Sequence, residues 1–293
     1  MEKIKENKTY RNSVETDSFV RLDQLSWQQI DGLDRSKTLF FLPISPLEEH
    51  GPHLPVGTDI ITAEDTAIHA MKKIKKKHPS YTCVLLPSLP LGYAGFNTDF
   101  PGTISVSSRI VKKVIVQYAK MLAIQDFNRL MICTYHMALG HLKGIYAAIK
   151  KLRKSYDMNI CEPWGPIFYS DMIESNQPKV DFDTKTEVHA GFRETSLMKY
   201  VHPELVKDSY KTLPVMFSKE VLSLKVLFHS FKKLGLSEGY IGSPSKADLT
   251  YGKWFFEFTV KAYVDAAEQM IENNPLPDLP KQIKRQMKLL FWL

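Results

Sequence analysis

Cysteine is scarce in this chain, with three in 293 residues: Cys83, Cys133 and Cys161. They form no CxxC pair and no even framework, and all lie in or beside apolar stretches, so the sequence predicts buried, reduced thiols in a cytoplasmic protein rather than a disulfide scaffold. Long apolar runs are missing as well. No window approaches the length of a membrane span, so no transmembrane helix is expected. The opening MEKIKENKTYRNSVETDSF is polar and has no apolar h-region. It reads as a loose arm over residues 1–20, not as a secretory signal. Aromatic RNA-binding signatures and zinc-finger spacings are also absent. The net charge is +7, but the lysines sit in short runs such as MKKIKKKHPS and IKKLRKSY, which read as solvated helix faces. Nucleic acid is therefore not an expected partner. There are no internal repeats and no low-complexity segment.

What is present is a composition 44% apolar and 24% charged, enough to bury a substantial core. Apolar runs predict strands over residues 37–44, 82–91 and 129–135, and a fourth over 165–171. Helical periodicity predicts helices over 61–78, 107–127 (with serine as its N-cap), 141–156, 194–201, 218–234 and 254–274. Strands alternating with helices imply an α/β fold with a mostly parallel sheet covered on both faces. Residues 21–275 are read as a single domain. The basic, apolar segment 276–293 is read as an extension that docks on this domain or on a neighbouring subunit.

In such folds ligands bind beyond the carboxyl ends of the strands. LEEHGPHLPVGTD follows the first strand, LGYAGFNTDFPGT the second and HMALGH the third, with EVHAGFRETS further on. Acidic residues and histidines thus recur at one end of the sheet. Pro46, Pro52 and Pro55 argue against a helix interior in the first of these segments. In an extended segment Glu48 and His50 share one side and Glu49 faces the other. Asp59 can return to the same point or cap the helix that follows. A carboxylate with an imidazole suits zinc, manganese or iron(II), although spacing alone leaves polar loop and ligand set equally open. His136 can be a ligand or a satisfied core histidine. His53 is expected to brace the loop, His141 to begin a helix, and Glu187, Asp181 and Asp183 to be solvated.

These residues resemble a known family. E-x-H-G-P-H-L-P-x-G-T-D after an apolar strand is similar to the signature of the creatininase (creatinine amidohydrolase) family. FPGTIS at 100–105, HAGFRETS at 189–196 and RLMICTYH at 129–136 match further blocks in the same order. The resemblance implies a three-layer α/β/α sandwich, often a homo-oligomeric hexamer, that hydrolyses C–N bonds of small or cyclic amides with divalent metal, two ions per subunit. It further implies that Glu48, His50, Asp59 and His136 ligate metal, that Asp59 bridges two ions, and that His189 and Glu194 belong to the catalytic pocket.

The chain departs from the pattern at several points. Relatives carry Asn-Gly-His-Gly-Gly-Asn where this chain has Thr134-Tyr135-His136-Met137-Ala138-Leu139. The glutamate that binds the second metal in creatininases proper is replaced by Ala138, which argues against creatinine as substrate and leaves Glu194 to supply a carboxylate. Asn97 stands where a histidine is common, and Phe192 where glutamate is common. Tyr135, Met137, Phe192 and Phe96 predict a pocket more apolar than the family norm. The alternatives are a member that has lost turnover and acts as a ligand-binding or scaffold subunit, and a peptide-trimming relative.

Overall fold

The computed structural model describes residues 19–218 and 230–290. Its centre is a sheet of six strands: β1 (Val20–Arg21), β2 (Thr38–Ser45), β3 (Thr82–Leu85), β4 (Leu89–Pro90), β5 (Arg129–Cys133) and β6 (Asn159–Cys161). The order is β1-β3-β2-β5-β6, with β4 pairing β2 beyond the end of β3. Every pair of these strands is parallel. All eight residues of β2 are buried, as expected for a central strand covered on both faces. Phe40 on β2 is fully buried, with its ring edge-on to Phe127 at 5.0 Å.

The helices are α1 (Trp27–Asp31), α2 (Thr58–Lys77), α3 (Ser108–Ile124), α4 (Leu139–Tyr156), α5 (Trp164–Phe168), α6 (Met172–Asn176), α7 (Phe192–Val201), α8 (Leu249–Ile271) and α9 (Lys281–Leu289). In α2 the buried residues Ile60, Ala63, Ala67, Ala70, Met71 and Ile74 recur at three- and four-residue steps, forming one apolar stripe. β2–α2–β3 steps toward one edge of the sheet, and β5–α4–β6 steps toward the other. Right-handed crossovers then put α2 and α4 on opposite faces. α3 packs on α4, while α8 packs on α2 and α7. The result is the three-layer α/β/α sandwich.

Strands β2 and β5 are neighbours whose chains leave in opposite directions. A crevice opens beyond their carboxyl ends at such a switch point, and the segments carrying Glu48 and His136 meet there.

Several expectations change. Residues 165–171 do not form a strand: Trp164–Phe168 is helix α5, and the fourth of the longer parallel strands is the earlier Asn159–Cys161. The Glu162 carboxylate accepts from the backbone N–H groups of Trp164 (2.7 Å) and Gly165 (3.0 Å), which opens a helical turn that the apolar run alone does not reveal. The run 82–91 breaks into β3 and β4 on either side of Pro87. Ser107 makes no side-chain capping bond to α3; Ser108 instead donates to the Gly140 carbonyl. The expected helix over 218–234 falls mainly on 219–229, outside the described residues, as does most of the arm 1–20. The C-terminal segment packs on this chain, with Leu279, Met287 and Leu290 buried.

Candidate metal centre

Three stretches far apart in sequence build the site. Behind β2 the chain turns through Gly51 (φ +67°) and returns by a bridge between His50 and Leu54. That turn delivers Glu48 and His50, and the first turn of α2 delivers Asp59. The end of β5 delivers His136. The turn before α7 delivers His189 and, one helical step on, Glu194. Ala190 between them adopts a left-handed conformation (φ +48°), and its N–H donates to Glu194 Oε2 at 2.5 Å. Strained backbone of this kind is common where a side chain must be held for function.

Asp59 lies inside α2 and does not cap it; the N-cap is Gly57, which has no side chain. The Asp59 carboxylate is free to face the histidines. Its Oδ2 is 3.0 Å from His136 Nδ1, and its Oδ1 is 3.4 Å from His50 Nε2. Glu48 Oε2 is 2.9 Å from the same His136 nitrogen, and Glu194 Oε2 is 3.8 Å from His50 Nε2. Three overlapping sets of ligand atoms, each set within 4.8 Å, follow: Glu48–Asp59–His136, His50–Asp59–Glu194 and Glu48–His50–His189. Asp59 is shared by the first two. The third set makes His189 a candidate ligand as well as a pocket residue.

The outer contacts orient these ligands. His50 Nδ1 is 2.9 Å from the Glu48 carbonyl, so that nitrogen donates and Nε2 is turned toward the cluster. His136 Nε2 is likewise 2.9 Å from the Tyr93 carbonyl, turning Nδ1 inward. His189 Nε2 is committed to the Glu49 carbonyl at 2.8 Å. Asn97 Nδ2 donates to Glu48 Oε1 at 2.7 Å. Glu48 Oε2 and His50 Nε2 are buried, and outside the cluster itself neither has a hydrogen-bond partner among the described residues. Buried inward-facing ligand atoms of this kind suit a cation. The donor set therefore fits a divalent ion held by carboxylate and imidazole.

The electrostatics agree. Burial opposes charge on His50, but Asp59 outweighs it and carries the imidazole up to about 10. His136 is likewise driven well above its ordinary value, burial being overcome by Glu48 and Asp59. His189 rises to about 9, chiefly through Glu48 acting against burial. Glu48 and Asp59 fall below the usual carboxylate range although burial pushes them up, because imidazoles face both. Glu194 is raised by burial, which its histidine neighbours offset only in part. The cluster attracts positive charge, and a divalent ion would displace protons from its histidines.

Two histidines close to the cluster belong to none of the three sets. His53 Nε2 is 2.8 Å from Thr195 Oγ1 and ties the loop to α7; burial lowers it to about 4. His141, buried in α4, meets Thr134 Oγ1 at 3.1 Å, with its ring 5.4 Å from that of His136.

Glu49 stays outside all three ligand sets, as the alternation implies, and is buried with Oε1 3.5 Å from His189 Nε2. Two expectations about neighbours are corrected. Glu187 is buried rather than solvated, and accepts from the backbone N–H groups of Phe192 and Ser243. It fits because Gly242 (φ +136°) has no Cβ, which would lie 2.2 Å from Glu187 Oε2. Phe192 does not line the pocket; it packs against Phe182 and Tyr251. Asp181 and Asp183 are exposed as expected.

Above the cluster lies a cavity of about 280 Å³, near the lower end of ligand-pocket sizes. Glu48, Asp59, His136 and Glu194 form its polar end. Tyr135, Met137, Trp164, Phe168 and Phe255 are among its apolar walls. Arg193, Glu187 and Leu290 also reach it; Glu187 and Arg193 lie within the stretch EVHAGFRETS, whereas no motif or spacing singles out Trp164 or Leu290. Asn97 was visible only as a departure from the family pattern.

An α/β/α sandwich with a buried carboxylate–imidazole cluster at the switch point has the architecture of a metallohydrolase scaffold. The family model for creatininase, described as creatinine amidohydrolase, matches residues 23–267. The chain belongs to the creatininase family. The mycofactocin precursor peptide peptidase of Mycobacterium ulcerans (strain Agy99) is 24% identical over 248 residues, covering 81% of this chain and 86% of that protein. The creatinine amidohydrolase of Pseudomonas putida is 23% identical over 199 residues, covering 64% and 74%. A creatinine amidohydrolase crystal structure superposes with a TM-score of 0.64 at 21% identity, covering 86% of this chain and 98% of its own. A manganese form and a Zn–Zn form of creatininase match at 0.62 and 0.63, both at 21% identity, covering 86% of this chain and 99% and 98% of theirs.

Proposed function

We propose that this chain is a metal-dependent hydrolase of the C–N bond of a small amide, cyclic amide or formamide. The observation that carries the reading is the pair of ligand sets sharing Asp59, with the buried and otherwise unbonded Glu48 Oε2 and His50 Nε2 facing inward. Glu48, Asp59 and His136 would hold one divalent ion, and His50, Asp59 and Glu194 a second, with zinc, manganese or iron suiting the donor set. Such ions supply a nucleophile from water near neutral pH and polarise a carbonyl. Glu194 takes the place of the carboxylate lost at Ala138. His189, with its raised affinity for a proton, is the group that delivers one to the leaving nitrogen. Tyr135, Met137 and Trp164 exclude bulk water, and Asn97 keeps the Glu48 carboxylate oriented.

The peptidase name of the mycobacterial relatives supports a second reading, in which the same residues trim a peptide. The 280 Å³ cavity favours a small amide or one terminal residue over an extended chain.

The test is metal content and hydrolysis together. Protein purified without chelator, alongside Glu48→Ala and His136→Ala, is assayed for bound metal and on lactams, formamides and short peptides. Hydrolysis that chelation abolishes and zinc or manganese restores is expected, and each variant should fall by at least ~10–100-fold. Wild-type protein with no bound metal and no stabilisation by added zinc or manganese would overturn the reading. Cleavage confined to the peptides would replace the first reading with the second.

A further inference from the structure

The family match ends at residue 267, yet the chain beyond it returns to the site. Residues 272–280 cross from α8 to α9, and Leu279 is buried near Gly165 at the start of α5. Helix α9 turns Met287 inward against the core and leaves most of its lysines and arginines exposed or half-buried. Just past its end Leu290 is buried, its carbonyl accepts from Lys143 Nζ on α4, and the residue lines the cavity above the metal ligands.

We propose that the C-terminal extension, through Leu290, is a wall of the substrate pocket and that Leu290 sets the size of the apolar group the pocket accepts. Four aromatic residues, Tyr135, Trp164, Phe168 and Phe255, line the same cavity. Tyr135 and Trp164 stack nearly parallel (11° between planes, centroids 6.2 Å apart). Apolar surface buried between these rings and Leu290 rewards a bulky apolar substituent and gives nothing to a small polar one. The substrate class that follows is an amide bearing an aromatic or branched apolar group next to the scissile bond. The claim about substrate rests on the hydrolase reading, whereas the claim about the wall does not.

The two are separated by measuring binding without turnover. Phenylacetone and 1-naphthylacetone have the shape of arylacetamides but no C–N bond. Their affinities for the full-length wild-type chain, Leu290→Ala, Leu290→Trp and Leu290→Met are measured by calorimetry. Leu290→Ala should shift the preference toward the naphthyl ketone by at least about fivefold, and Leu290→Trp should weaken both ketones by about tenfold or more. Leu290→Met, which keeps the volume, should stay within about twofold of wild type. A preference unchanged in Leu290→Ala overturns the proposal, as does a wild-type chain that binds neither ketone. Should Leu290→Trp fail to fold, the alanine variant decides alone. Ketone binding that follows this pattern, with no amide hydrolysed, overturns the hydrolase reading and supports the wall.

Discussion

Changing Glu194 to glutamine should remove one ion from the proposed pair and spare the other. Glu194 belongs to the set with His50 and Asp59, and it takes no part in the set formed by Glu48, Asp59 and His136. Its oxygen lies 3.8 Å from His50 Nε2 and is held by the Ala190 N–H, a bond the amide oxygen of glutamine can still accept. The fold should therefore survive while the ligand charge is lost. Outer partners of metal ligands are already worth about 10–100-fold in affinity, so a lost ligand should weaken the second ion by at least that factor, or about 1.4–2.8 kcal/mol. Asp59→Asn touches both sets and should weaken both ions. Equilibrium dialysis with zinc or manganese, read as ions per chain, distinguishes the cases: two for wild type, one for Glu194→Gln and fewer than one for Asp59→Asn. Stability gives an independent reading. An ion at a hundredfold excess over its Kd adds about 2.7 kcal/mol, which corresponds to a rise in melting temperature of roughly 5–11 °C. Two ions retained at unchanged affinity in Glu194→Gln, or one ion lost and one kept in Asp59→Asn, would refute the shared-aspartate arrangement.

Further outcomes can be checked in the same preparations. Because His50 and His136 are drawn toward the protonated form, metal uptake should release protons and weaken as pH falls, visible as buffer-dependent heats in calorimetry. Phe40→Ala removes a fully buried ring from the central strand and should cost about 3–5 kcal/mol, read as a lower urea midpoint. Gly252→Ala should cost about 1–3 kcal/mol or more, because the added methyl would lie 1.9 Å from the Ser196 backbone oxygen where α8 crosses α7; a melting temperature equal to wild type would contradict that close approach. His202 is raised to about 9, first by its bond to Asp65 at 2.7 Å. Its folded-state value exceeds the unfolded one, so its stabilising contribution is complete below about pH 6.5 and is lost as pH rises through about 9. His202→Gln should flatten the stability curve across that window, which melting curves from pH 6 to 10 would show.

The order of elements and the composition of the site could be read from the sequence because they are local. The run TLFFLPI reads as a buried strand because turn residues follow it at once, and the alternation of strands and helices implies parallel pairing. The resemblance to the family implies Glu48, His50, Asp59, His136, His189 and Glu194 because short blocks at strand ends and helix starts carry them, and the structure brings all six to one switch point. The misreading of residues 165–171 has a physical cause. A short apolar run is equally compatible with strand and helix, and the carboxylate that opens the helical turn, Glu162, lies just before it.

Other features depend on contacts between residues distant in sequence. Asn97 holds Glu48, and Glu187 is buried because Gly242 leaves room beside it. Nothing within either local stretch encodes those meetings. The same holds for Leu290, which sits in a basic, apolar tail that reads as peripheral and becomes a pocket wall only once α9 has packed on α4. Periodicity and local motifs determined what each segment is and which chemistry it carries. The packing of the layers decided which segments share the cavity, because that depends on shape complementarity and on polar groups finding partners across the whole fold.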